Sequence, residues 1–272
     1  DCEFGELWLS EDYFFLGGIS STAVALQSTE RIPVGLGIIS AVVRHPAVTA
    51  MELSTIARLF PGRMMAGIGH GVPAWTQQMG LYPASPLTSM REAVTAIRRL
   101  LEGETLTEEG DYFSFDEVVL THPAEGLPLY CGVVGPKSLE LSGEIADGTV
   151  ASVVAAPRYL EFARAAIARG AEVSGRDADQ HLALAGRGHA AALRHQRLGS
   201  AGRCDADRRH LRRNGIAVRH VAVLRLWLIS GARPNRQAVC GPLLTDCPQG
   251  STLVTWTWMT ICRARAMIRC PA

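Results

Sequence analysis

Short apolar runs alternate along this chain with longer stretches whose apolar positions recur every three or four residues, the signatures of buried strands and of amphipathic helices. The run Glu6-Leu7-Trp8-Leu9-Ser10 reads as a strand and ends in the acidic, aromatic string Glu11-Asp12-Tyr13-Phe14-Phe15, which puts two carboxylates at a strand exit. After the Gly17-Gly18 loop, Ser20 or Ser21 can cap a helix running to about Glu30, with Ala23, Leu26 and Gln27 at helical spacing. The strand Ile32–Ile39 runs into Ser40-Ala41 and the polar turn Arg44-His45-Pro46. Its glycines at 35 and 37 would weaken a packed strand, so they point to a bulge or to close approach of a ligand or another backbone. A helix over Ala47–Leu59 follows, with Val48, Met51, Leu53, Ile56 and Leu59 at helical intervals, and Pro61-Gly62 stops it. Met64–Ile68 is the next strand and Gly69-His70-Gly71 its exit. Ser89 and Glu92 form an S-x-x-E capping box for a helix carrying Val94, Ile97, Leu100 and Leu101 on one face. Residues 105–126 alternate and turn like a small β excursion. The rhythm then resumes with a strand at Leu127–Gly132, a helix from Pro136 to about Glu144, a strand at Gly148–Val153 and a helix at Pro157–Val173.

Strands and helices in this order predict an α/β fold with parallel strands joined by crossovers, five of them before residue 155. The pattern alone admits both a doubly wound sheet and an eight-stranded barrel. No G-x-G-x-x-G follows a strand and no Walker sequence occurs, which disfavours the usual dinucleotide and nucleoside-triphosphate sites. A length of 272 residues and 47% hydrophobic content suit a well-buried core. The net charge of +1 hides a division, because residues 1–184 hold 23 acidic and 12 basic side chains and residues 185–272 hold 3 and 15. The later stretch also holds five of the seven cysteines, and the chain's one lysine is Lys137. The N-terminus shows no signal-peptide pattern, and no apolar run reaches the roughly 18 residues a membrane span needs, so a cytoplasmic location without membrane contact is expected. There the cysteines read as free thiols, and their spacing offers no zinc site.

Val133-Val134-Gly135-Pro136-Lys137-Ser138 carries the clearest chemistry. A strand ends, glycine turns the backbone closely, and proline takes a helix N1 position, where its missing N–H matters least. The free amides and positive dipole end of such a helix suit an anion such as phosphate, to which Lys137 could add charge; an ordinary strand-to-helix turn is the alternative reading. His45, just before a helix, suits capping rather than catalysis.

The segments LWLSEDYFF, ERIPVGLGIISAVVRHPAVTAMELSTIARLFPGRMMAGIGHG and LPLYCGVVGPKSLELSGEIADGTVAS together resemble the luciferase-like monooxygenase superfamily, over roughly residues 4–184. Within it they look most like coenzyme F420-dependent oxidoreductases of the methylene-tetrahydromethanopterin reductase type. The resemblance implies a (β/α)8 TIM-type barrel that binds F420, or alternatively FMN, at the C-terminal ends of its strands and acts as an oxidoreductase or monooxygenase on a small organic molecule. The family's cis non-prolyl peptide falls by position on Gly37-Ile38. Glu11 and Asp12 fall where the family has an acidic residue and histidine beside the ring, which makes them the candidate catalytic pair. Asp12 in place of histidine weakens general-acid chemistry and favours ring binding. Ser40, His70 and Trp75 fall near the ring, and Val134, Gly135 and Pro136 at the coenzyme phosphate.

Two departures qualify that likeness. The chain begins almost at the second strand of such a barrel, so the first strand and helix are expected to be absent. After about Ala185 the resemblance stops, and a shifted reading frame in a GC-rich gene accounts for an Arg-rich, Lys-free text better than an RNA-binding extension does. Residues 1–184 are thus expected to form a partial barrel, and residues 185–272 an irregular tail contributing no parallel strand. The competing reading is an inactive remnant whose basic tail binds nucleic acid non-specifically or has no function. A homodimer is left open.

Overall fold

The computed structural model of the chain describes residues 5–151, 156–185 and 221–224. Strand β1 (Glu6–Leu9), helix α1 (Gly18–Gln27), β2 (Val34–Ser40), α2 (Pro46–Leu59), β3 (Met64–Gly69), α3 (Pro73–Gln78) and α4 (Pro86–Leu101) come first. The hairpin β4 (Leu106–Glu109) and β5 (Ser114–Val118) precedes β6 (Leu129–Gly132), α5 (Pro136–Ile145), β7 (Gly148–Ala151), α6 (Pro157–Ser174), β8 (Leu182–Ala185) and β9 (Val221–Leu224). Seven strands make one sheet in the order β8-β7-β6-β3-β2-β1-β9, and each neighbouring pair is parallel. The sheet curls as part of a barrel of the (β/α)8 type, with β8 and β9 at opposite ends of the described arc.

Alternation along each strand sorts its residues between two faces. Leu9, Leu36, Ile39, Ala66, Ile68 and Leu129 pack outward with Leu53, Ile97 and Leu139 of the helices. Trp8, Met65 and Tyr130 gather on the opposite, concave face with Val150 beside them. Bulk there is matched by absence. A Cβ on Gly35 would overlap the Trp8 ring, one on Gly132 would overlap Ile38, and one on Gly67 would lie 2.8 Å from Ile38 Cδ1. Trp8 meets Tyr130 edge to face at 5.2 Å, and its Nε1 donates to the buried Glu6 carboxylate. Outside the sheet, α5 and α6 touch through Gly143 and Gly170, whose missing side chains admit the Ile167 and Glu140 carbonyls.

Several expectations need correction. The Gly37–Ile38 bond is trans, and the described residues hold no cis peptide. The irregularity of β2 is a register shift against β3 between Leu36 and Ile39, a bulge that absorbs the extra residue with ordinary peptide geometry. Helix α4 starts at Pro86 with Ser85 as its N-cap, because proline at the first helical position fixes the start. Ser89 is buried within the helix, and Glu92 accepts hydrogen bonds from the amides of Asp111, Tyr112 and Phe113 in the β4–β5 turn. Gly17, rather than Ser20 or Ser21, caps α1, and both serine hydroxyls donate back to the Gly17 carbonyl. Val48, Met51 and Leu59 of α2 are exposed, while Leu53 and Ile56 face the core. His45 does cap α2, its ring nitrogen accepting from Ala47 N.

The expectation that residues 185–272 add no parallel strand is overturned by β9, which pairs along the whole of β1. The physical reason lies in the run Val221-Ala222-Val223-Leu224, apolar and β-rich amid basic text, and in the unpaired N–H and C=O groups that β1 presents on that side. The remainder of that stretch, and the expected strand end at 152–153, lie outside the described residues. Among the described residues no helix is long and apolar enough to cross a membrane.

Candidate functional site

Parallel strands deliver all their C-terminal ends to one rim, and the loops there come from neighbours in the sheet. Residues 10–17 leave β1, residues 41–45 leave β2, residues 70–72 leave β3 and residues 133–135 leave β6. Every candidate residue of the sequence, apart from Gly37, Ile38 and Ser40 within β2 and Trp75 on α3, lies on these exits or at the first residues of the helix that follows.

Glu11 is the anchor of the β1 exit. Its side chain is 2% exposed and takes both guanidinium nitrogens of Arg44 at 2.8 Å, a two-pronged ion pair between the exits of adjacent strands. One of its oxygens also accepts from Gly18 N at 3.2 Å, at the start of α1. The Glu11 hydrogen bond is the main reason the Arg44 pKa is raised above its usual value. Asp12 heads a tight turn in which the Phe15 and Leu16 amides donate to its carbonyl, and the Ser10 hydroxyl approaches its carboxylate at 3.5 Å. Phe14 follows with φ of +69°, and both Phe14 and Phe15 are exposed.

From Tyr13 a continuous line of contacts runs along the rim. Ser40 N donates to the Tyr13 hydroxyl at 3.1 Å, and the Ser40 hydroxyl donates to the His70 carbonyl at 3.1 Å. His70 Nε2 and Ser138 Oγ are 2.9 Å apart, which joins the β3 exit to the first turn of α5. Gly71, with φ of +77°, lets the chain pass close to Ser40, since a Cβ would lie 2.8 Å from the Ser40 hydroxyl. Burial lowers the His70 pKa, with the Pro86 carbonyl opposing, so the ring is neutral at pH 7; its buried Nδ1 has no hydrogen-bond partner of good geometry. The Trp75 ring meets Tyr13 edge to face at 6.0 Å.

At α5, Gly135 is the N-cap and no side chain caps the helix. A Cβ on Gly135 would find only Ser138 Oγ, at 3.9 Å, so the space beside it is open on the protein side. Val134 and Lys137 are exposed, and the Tyr159 hydroxyl donates to the Val134 carbonyl. Uncapped amides at such an end, with the dipole behind them, form a cradle for an anion.

The structure thus brings Glu11, Asp12, Ser40, His70, Trp75, Val134, Gly135 and Pro136 to one rim. Ile38 lies deeper, across Gly67, Gly69 and Gly132 on the concave face. Gly37 serves the close approach of another backbone, for a Cβ there would overlap the Leu9 carbonyl. Sequence reasoning assigned no role to Tyr13, Arg44 or Ser138. The usable signal for Arg44 was an arginine on the exit of the strand next to that of Glu11. Among the described residues no group of three or more His, Cys, Asp or Glu could hold a metal ion.

Comparison with known proteins agrees with this arrangement. The family described as luciferase-like monooxygenase matches residues 3–211. A 5,10-methylenetetrahydromethanopterin reductase of Methanolobus tindarius is 34% identical over 174 residues, 64% of this chain and 53% of the relative. An F420-dependent glucose-6-phosphate dehydrogenase of Nakamurella multipartita is 32% identical over 56% of this chain and 47% of its own length. The chain spans about half the length of these curated relatives. Among solved structures, the coenzyme F420-dependent tetrahydromethanopterin reductase from Methanopyrus kandleri superposes with a TM-score of 0.61 at 30% identity, covering 66% of this chain and 57% of that one. A monooxygenase from Streptomyces bottropensis gives 0.62 at 20% identity over 85% and 83% of the two chains, a likeness of fold.

Proposed function

We propose, from the premise that the chain belongs to the luciferase-like monooxygenase family, that it binds coenzyme F420 at the barrel rim and serves an oxidoreductase acting on a small organic molecule. The observation that carries this reading is the pairing of an uncapped α5 start with the half-buried His70, whose Nε2 meets Ser138 Oγ in the first turn of that helix, at the end of a rim already joined by Tyr13 and Ser40. Those features fit a coenzyme that carries a phosphate and a flat ring. The F420 dependence named for similar proteins supports F420 ahead of FMN. When bound, the coenzyme supplies hydride transfer, and the chain supplies binding and orientation.

In this reading the phosphate lies at Val134, Gly135 and Pro136, held by the backbone amides of Lys137 and Ser138 at the uncapped start of α5. Ile38, Ser40, His70 and Trp75 flank the ring. Asp12, whose carboxylate the Ser10 hydroxyl approaches, is the carboxylate beside the reacting centre, and Glu11, bound to Arg44 and Gly18, acts by holding the loop. Residues 1–184 carry these groups.

The test is a fluorescence titration of the full chain with F420 and, separately, FMN. Saturable quenching by F420 is expected, together with at least fivefold weaker binding by Gly135→Val. A Cβ at that position meets only Ser138 Oγ, at 3.9 Å, in the free protein, so unchanged affinity overturns the phosphate assignment. Absence of binding by the wild-type chain to either coenzyme supports the inactive-remnant alternative.

A further inference from the structure

Strand β1 ends at Leu9, opposite Leu36, whereas β2 continues to Ser40. The last amides of β2 therefore face a side from which their neighbour has departed. Ala41 N donates to the Gly69 carbonyl on the β3 side. Successive amides of a strand point to opposite sides, so Ser40 N is turned toward the β1 side. Ser40 is buried, and a buried N–H there requires an acceptor. The acceptor is a side chain: the Tyr13 hydroxyl at 3.1 Å.

Tyr13 can fill that place because its loop is fixed at one end and its ring at the other. Glu11, two residues earlier, is held by Arg44 and by Gly18 N. The ring rests edge to face on Trp75 of α3. Ser40 in turn carries the tie onward through its hydroxyl to the His70 carbonyl. One tyrosine thereby touches the β2 end directly and α3 through its ring, and its loop is pinned to the β2 exit by the Arg44 ion pair.

We infer that Tyr13 is a positioning residue of the barrel mouth: its hydroxyl takes the place of the missing β1 partner of Ser40 and fixes the bulged end of β2, from Ile38 to Ser40, against which a coenzyme ring docks. The docking clause rests on the functional reading above, and the tie to Ser40 does not. Burial, followed by the charge of Glu11, pushes the Tyr13 pKa up to about 12, so the hydroxyl keeps its proton across ordinary working pH and the Ser40 tie is insensitive to pH there. The neighbouring Glu11 charge favours the protonated hydroxyl, whose oxygen accepts from Ser40 N.

Tyr13→Phe removes the hydroxyl and keeps a ring against Trp75. Residue-resolved hydrogen exchange on the full 272-residue chain, without coenzyme, reads the tie. The expected result is at least tenfold faster exchange at Ser40, with Ala41, bonded to Gly69, unchanged. F420 titration of the same variant is expected to show at least fivefold weaker binding than wild type. Glu11→Gln, which keeps the shape of the anchor and removes its charge, is expected to move both readouts in the same direction by a smaller factor, and it serves alone if Tyr13→Phe does not fold. Ser40 exchange equal to wild type in the folded variants overturns the inference. Faster exchange with unchanged F420 affinity, in a wild-type chain that binds F420, reduces Tyr13 to a structural tie and overturns the positioning role. A wild-type chain that binds neither F420 nor FMN sinks the functional reading, and the exchange measurement still decides the tie.

Discussion

Replacing Arg44 by methionine should cost the protein far more than an ordinary surface charge would. The Glu11 side chain is 2% exposed and that of Arg44 27%, so the pair lies mostly beneath the rim and water cannot readily take the place of the guanidinium. In Arg44→Met the carboxylate keeps the Gly18 amide and loses both bonds at 2.8 Å. Removing one partner of a buried ion pair costs about 3–5 kcal/mol, because a charge is left without compensation. The quarter of Arg44 that water already reaches argues for the lower end, ~3 kcal/mol, which is a factor of about 100 in the folding equilibrium. Urea unfolding followed by circular dichroism reads this as a lower midpoint at constant slope. The double variant Glu11→Gln/Arg44→Met should recover ~2 kcal/mol, since neither partner then carries a charge. An Arg44→Met loss below about 0.5 kcal/mol, or a double variant no more stable than the single, would show that the pair is solvated and that the loop is held by something else.

Acid should destabilise the far side of the barrel through His181, whose Nε2 meets the Thr149 hydroxyl at 2.8 Å and whose pKa is pushed down to about 4, chiefly by burial and then by Arg176. Because the folded value lies below the ordinary 6.5, protonation favours unfolding. The contribution is therefore complete above pH 6.5 and lost as pH falls toward about 4, by ~3 kcal/mol in all. His181→Gln should flatten the urea midpoint between pH 7 and 4.5 relative to wild type, and parallel curves would refute the assignment. Gly170→Ala should separate α5 from α6, because the added methyl overlaps the Glu140 carbonyl. A loss of ~2–3 kcal/mol in thermal or urea unfolding is expected, and a neutral result would show that the helices slide freely.

The alternating elements were legible because their punctuation is local. Pro61-Gly62 ends α2, Pro136 opens α5, and Pro157 opens α6 while Gly175, with φ of +67°, closes it. Where the reading failed, a distant residue had intervened. Glu92 has the spacing of a capping partner, yet the β4–β5 turn presents three amides to it, and local spacing cannot register a partner twenty residues away. At Gly37 the reading held, since close approach of a ligand or another backbone was expected and the approaching group is the Leu9 carbonyl of the neighbouring strand. The candidate residues were found because strand exits converge on one rim whatever their side chains do. Arg44 and Tyr13 were passed over because their importance arises between exits, from the adjacency of β1 and β2, which a linear text does not display.

The concave face has a consequence for how such a sequence can change. Trp8 occupies volume that Gly35 leaves vacant, and Ile38 lies across Gly67, Gly69 and Gly132, so the packing belongs to sets of residues on different strands and to none of them singly. A side chain gained at Gly35 is tolerable only where Trp8 has already shrunk, and one gained at Gly132 only where Ile38 has. Neutral drift through either intermediate is therefore closed in one order and open in the other. Homologous chains should show these positions changing together, first the loss of the large residue and then the gain at the small one, so that the history of the barrel's interior is written in ordered pairs.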